Sequence, residues 1–144
     1  MSPLELGTFA AVFDAAMALE AHLQRRYDTQ SSQPDPAGAV FRALAKDGEK
    51  RLRRLERVRR ETVTEMILIP ITGLAMSDDL SSLGDVDPAA PLTLETAQAL
   101  EESAARFYEE AAEKIGLDEA ARALRRMAKG SRKRAGQLQD ARAG

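Results

Sequence analysis

A repeat constrains this chain more than any local motif does. EAHLQRRY (Glu20 to Tyr27) and EESAARFY (Glu101 to Tyr108) each place a Tyr seven residues after a Glu. Each is followed by a matching basic segment, LAKDGEKRLRRL from Leu44 and MAKGSRKRAGQL from Met127. The match pairs Gly48 with Ser131, Arg51 with Arg134 and Leu55 with Leu138. Two copies of one helix pair therefore make up the chain, and symmetry of this kind sets the architecture before any single motif is read.

The hydrophobic pattern is helical almost throughout. Ser2-Pro3-Leu4-Glu5 combines a capping Ser, a Pro at the first helical position and a Glu three residues on, so helix one is expected to start there and run to about Tyr27. Phe9, Val12, Phe13, Ala16, Leu19, Leu23 and Tyr27 recur at three and four residues along it, with Glu20 on the edge of that face. TQSSQPDPAG is a polar loop, and Asp35-Pro36 repeats the cap-then-proline start for helix two, which carries Phe41, Leu44, Ala45, Leu52, Leu55 and Val58. Helix three starts at Thr93 and ends at an Ile115-Gly116 cap; Asp118 caps helix four, which extends to about Ala141.

A chain of 144 residues, 44% hydrophobic and 31% charged, is the size of one domain with a single core, here residues 1–144. The expected fold is all-α: a four-helix bundle of two repeated helix pairs, with a long crossover over about 62–91 between helices two and three. The crossover holds MILIPITGLAM, which either continues helix two to a kink at Pro70, caps one end of the bundle, or lies in a dimer interface. The absence of Cys removes disulfides, thiolate nucleophiles and Cys-ligated metal. The amino-terminal stretch has no basic leader and the longest apolar run is too short to span a bilayer, so a soluble cytoplasmic protein without membrane contact is expected.

Two helix pairs, each with a Glu and a Tyr seven later on the first helix and a Leu/Met-Ala segment on the second, resemble the rubrerythrin-type diiron proteins of the ferritin-like superfamily, over nearly the whole chain. The resemblance implies a bundle whose first and third helices each give a metal-binding Glu, while the second and fourth each give a Glu-x-x-His pair. On a helix, residues three apart share a face, so such a pair reaches one metal. The Glu positions of helices one and three fall on Glu20 and Glu101. The other four fall on Gly48 and Arg51 in helix two and on Ser131 and Arg134 in helix four, with the same change in both copies. Glu49 cannot replace Gly48, because one residue along a helix turns a side chain by about 100°. His22, the only histidine, points away from Glu20 and is expected to be exposed.

Two carboxylates without imidazole, beside two guanidinium groups, make a poor iron site. Arg51 and Arg134 either pair with Glu20 and Glu101 through two parallel hydrogen bonds each, a cation standing where a cofactor would, or extend along the surface with their heads in water. Tyr27 and Tyr108 are read as core residues near the site. The resulting reading is a metal-free relative of the family, without a cofactor and with a structural, binding or regulatory role. The competing reading is an enzyme: a diiron peroxidase or ferroxidase-like oxidoreductase whose two iron ions are held by an unusual ligand set.

Charge is uneven although the total is only −2. From Arg42 to Arg60 there are nine Lys or Arg against three Asp or Glu, and from Asp118 to Arg142 eight against three. If helices two and four are neighbours, they form either a basic ridge suited to an acidic protein partner or a solvated face of ion pairs. The ridge lacks interleaved aromatic residues, which argues against nucleic acid. A homodimer is expected from the apolar crossover.

Overall fold

The computed structural model describes residues 7–66, 71–116 and 118–144, and all regular structure among them is helical. In order these are α1 (Phe9–Gln30), α2 (Ala37–Met66), α3 (Asp78–Ser81), a 3-10 turn (Ser82–Asp85), α4 (Leu94–Lys114) and α5 (Asp118–Ala143). No helix among the described residues is long and apolar enough to cross a membrane.

Local chemistry explains where the helices start and stop, and it corrects several expected ends. The expected start at Ser2 lies outside the described residues, and α1 begins at Phe9 because Thr8 is the cap. Its backbone is extended and its hydroxyl accepts from the Ala11 N–H at 3.1 Å. α1 also continues past Tyr27 to Gln30. α2 starts directly after Asp35-Pro36, yet the Asp35 carboxylate pairs with Arg42 at 3.2 Å. Thr93 caps α4 through the Thr96 N–H at 3.1 Å. α4 ends at Ile115, whose extended backbone breaks the helix, and Gly116 does not adopt the left-handed form expected of a glycine cap. Gly73 alone among the described glycines has a positive φ, of 73°. Asp118 is the first residue of α5, where its negative charge suits the exposed N–H groups of the first turn.

α1 packs along α2, α4 along α5, and α2 also contacts α5. α2 and α5 run in opposite directions there. Leu44 and Asp47 share one groove with Gln137 and Lys133, while Val58 and Glu61 share another with Arg122 and Glu119. The enclosed core takes Phe13, Leu23 and Tyr27 from α1, Phe41 and Leu55 from α2, Leu100 and Tyr108 from α4, and Leu124 and Leu138 from α5.

The crossover closes onto its own chain. Ile71, Leu74, Met76, Leu80, Leu83 and Leu92 are buried in the same core, and the Ile71 N–H donates to the Gly7 carbonyl at 2.9 Å. Intramolecular covering therefore accounts for the apolar residues of its described part, while Ile67, Leu68, Ile69 and Pro70 lie outside the described residues. Arg26, Gln30 and Gln33 hold the far end. They donate to the carbonyls of Pro91 at 3.0 Å, Ala90 at 3.0 Å and Leu92 at 3.1 Å, groups that irregular backbone would otherwise leave unpaired. α3 is tied to α4 by the Ser103 hydroxyl, which donates to Asp79 at 2.5 Å.

This cover changes the environment of His22. The side chain does point away from the centre of the helices, as its position predicts, but it is only 6% exposed because the crossover lies over it. The expected exposed histidine is thus a buried one.

Candidate functional site

The repeat brings its marked residues to one place between the four long helices. Glu20 on α1 and Glu101 on α4 are both 0% exposed, and Arg51, Ser131 and Arg134 are buried beside them. A carboxylate taken out of water needs opposite charge and hydrogen-bond donors. Both glutamates find them within this set.

Arg134 is the centre of the arrangement. Its Nε donates to Glu101 Oε2 at 2.8 Å, its Nη2 reaches Glu20 Oε1 at 3.4 Å, and the same nitrogen donates to the Ser131 hydroxyl at 3.0 Å. Arg51 approaches Glu20 Oε2 through Nε at 3.4 Å and turns its Nη1 outward to Asp47 at 2.6 Å. The expectation of surface-lying arginines is not what is seen, and neither is the expectation of one bidentate arginine per glutamate. Arg134 bridges both carboxylates with one arm each, and Arg51 divides itself between a buried carboxylate and a half-exposed one. The difference follows from the repeat's own asymmetry, since Asp47 has Gly130 as its counterpart while Ser131 has Gly48.

The tyrosines are more than packing. Tyr27 on α1 donates to Glu101 Oε2 on α4 at 2.6 Å, and Tyr108 on α4 donates to Glu20 Oε1 on α1 at 2.8 Å. Each tyrosine therefore serves the carboxylate of the other repeat. Helical periodicity places a Tyr on the apolar face without saying which helix its hydroxyl will meet, so this exchange could not be read from spacing. Asp47 and the Ser131 hydroxyl were missed as partners for the same reason.

Burial, then the charge of the facing glutamate, pushes both phenols well above their ordinary value of 10.0. Burial alone would lower the Arg134 guanidinium, but Glu101 and Glu20 outweigh it and raise its pKa. Arg134 therefore stays charged and both tyrosines stay protonated. Glu101 Oε1, Arg51 Nη2 and Arg134 Nη1 are buried without a hydrogen-bond partner among the described residues.

Gly48 is buried where the resemblance places a glutamate. A Cβ there would come within 2.9 Å of the Gln24 Cγ, so α1 and α2 approach more closely at this point than a side chain allows without moving Gln24. Glu49 is exposed, as its place on the helix predicts. Among the described residues no three His, Asp or Glu side chains are grouped so as to hold a metal ion. Compared with protein-family models, with characterised proteins and with solved structures, the chain finds no match.

The geometry ranks the two arginines. Arg134→Met leaves two buried carboxylates short of a cation and should cost about 3–5 kcal/mol, whereas Arg51→Met should cost less, about 1.5–3 kcal/mol. In a urea-unfolding cycle, Arg134→Met combined with Glu101→Gln should cost clearly less than the two single changes added together. Additive costs would remove the proposed coupling.

Alkali offers a second test, because the chain's two tyrosines are both in this network and it has no Trp. A phenol whose folded pKa lies above its unfolded value lends stability that is complete below the unfolded pKa and is lost as pH rises through the folded one. Between pH 6 and about 10 the tyrosines should leave stability unchanged; above that, phenolate absorbance should appear only together with loss of helical circular dichroism. Phenolate formation near pH 10 in a folded chain would contradict the buried, donor role.

Proposed function

We propose that this chain is a ferritin-like four-helix bundle, similar in plan to the rubrerythrin-type diiron proteins, in which an arginine, glutamate and tyrosine network occupies the position of the metal pair. Its role in this reading is structural, binding or regulatory, without redox turnover. The observation that carries it is the position of Arg134, which reaches both Glu20 and Glu101.

The donor set does not fit a two-iron centre. Two carboxylates are already taken by guanidinium and phenol donors, the phenols are held protonated, and the one imidazole, His22, is on the opposite side of α1 beneath the crossover. Divalent iron would have to displace a permanently charged arginine from each carboxylate. The diiron oxidoreductase is therefore the weaker reading, and no reaction step is assigned to this site.

Ferrous iron added anaerobically should give less than one tightly held ion per chain by elemental analysis, with no oxidase activity on exposure to air. The variant carrying Gly48→Glu, Arg51→His, Ser131→Glu and Arg134→His restores the six-ligand set and should bind iron, with Gln24 swinging aside for the new side chain. Two irons on the unaltered chain would overturn the metal-free reading. A folded quadruple variant without iron would mean that the helices are not spaced for a metal pair.

Binding is assigned to the face shared by α2 and α5. Lys50, Arg54 and Arg57 on α2, and Arg122, Arg126 and Lys133 on α5, are exposed, while the described ion pairs of these helices engage Arg42, Arg51, Arg59, Arg132 and Arg134. Such a surface suits an acidic protein segment. Poly-glutamate should bind with an affinity that falls steeply with salt, and Arg126→Glu with Lys133→Glu should weaken it about tenfold. Salt-independent binding, or none, would rule this partner class out.

A further inference from the structure

One cavity among the described residues is remote from the buried charge network. It lies between the outer side of α1 and the crossover, has a volume of about 330 Å³, and is lined among others by Leu19, His22, Arg25, Met76, Leu80 and Leu83. That volume is at the lower end of small-molecule sites, about 300–1,000 Å³. The site is built rather than incidental: α3, which helps to wall it, is tied to α4 through Asp79 and Ser103, and the end of the crossover is held by Arg26 and Gln30 of α1 and by Gln33 of the loop that follows.

The lining has a direction. Ala15, Ala18, His22 and Arg25 follow one another at three- and four-residue steps and Leu19 stands four after Ala15 and three before His22, so they form a stripe along one side of α1. The polar residues, His22 and Arg25, are at its carboxyl-terminal end and the apolar ones at the other. Leu19, Met76, Leu80 and Leu83 are buried in the floor, while Ala18, Arg25 and Gly84 are exposed at the rim. Among the described residues no carboxylate lines the cavity and none forms an ion pair with Arg25.

His22 supplies the second observation. Its ring is part of the lining, its side chain is only 6% exposed, and Nε2 is buried without a hydrogen-bond partner among the described residues. A buried polar atom left unpaired is costly, and a ligand that pairs with it gains accordingly. Burial, then the charges of Arg26 and Arg25, lowers the pKa of this imidazole, so near neutral pH it is an uncharged hydrogen-bonding group.

We propose that this cavity binds a small amphiphilic carboxylate, its acid group held at the Arg25 and His22 end and its apolar body lying against Leu19, Leu80 and Leu83. The cation sets the sign of the ligand's charge. The apolar floor demands a hydrocarbon part, and the volume limits its length. The site makes no use of Glu20, Glu101 or Arg134, so it stands or falls independently of the function proposed above.

His22 is the only histidine, which makes its ring signals in a magnetic-resonance spectrum an unambiguous reporter. Octanoate titrated into the folded chain should shift those signals saturably below about 1 mM, and octylamine, with the same tail and the opposite charge, should bind at least about tenfold more weakly. Arg25→Glu and Ala18→Leu alter exposed positions, so their thermal unfolding should match the parent, while each should weaken octanoate about tenfold, one by charge and the other by filling the cavity. An unsaturable response to octanoate, equal binding of octylamine, or indifference to either substitution would overturn the proposal.

Discussion

A buried carboxylate cannot stay ionised in a protein interior without a cation and donors close by, and this chain buries two of them. The guanidinium of Arg134 meets that demand for both at once. Its planar head can do so because it carries five N–H donors on three nitrogens, so that Nε serves Glu101 of α4 while Nη2 reaches Glu20 of α1. Replacing it by lysine would keep the charge and lose the bridge. This single side chain links α5 to both α1 and α4, and Ser131, one turn earlier on α5, accepts a hydrogen bond from it.

Arg51 shows what the same residue does with less burial around it. With Asp47 available at the surface, it shares its charge between the interior and the solvent boundary. The two halves of the chain thus answer one electrostatic problem differently, and the difference traces to which neighbour of the shared frame kept a carboxylate.

Much of this was legible in the sequence, because a repeat reports on geometry. The resemblance put Glu20, Glu101, Arg51 and Arg134 at corresponding positions and left the direction of the two arginines open, while the helical faces that carry Phe13 and Leu55 were read from spacing and do lie in the core. What periodicity lacks is knowledge of the partner. It says that Tyr27 faces inward, not that its hydroxyl crosses to α4; it says that His22 faces outward, not that the crossover will bury it. The start of α1 at Phe9 was missed because Thr8, which caps it, was passed over in favour of Ser2. The crossover was the least legible segment because it is held by distant side chains, Arg26, Gln30 and Gln33 on its backbone and Ser103 on Asp79, a relation that no local pattern encodes.

The exchange of tyrosines has a consequence for how such a chain could arise. Tyr27 of the first helix pair serves Glu101 of the second, and Tyr108 of the second serves Glu20 of the first. A reciprocal contact of this form is the signature of a two-fold symmetric dimer, in which residue i of one copy meets residue j of the other and the reverse. In such a dimer each copy's Tyr would donate to the other copy's Glu. The fused chain therefore contains a self-complementary interface turned inward, and the crossover is the tether that makes the encounter of its halves independent of concentration.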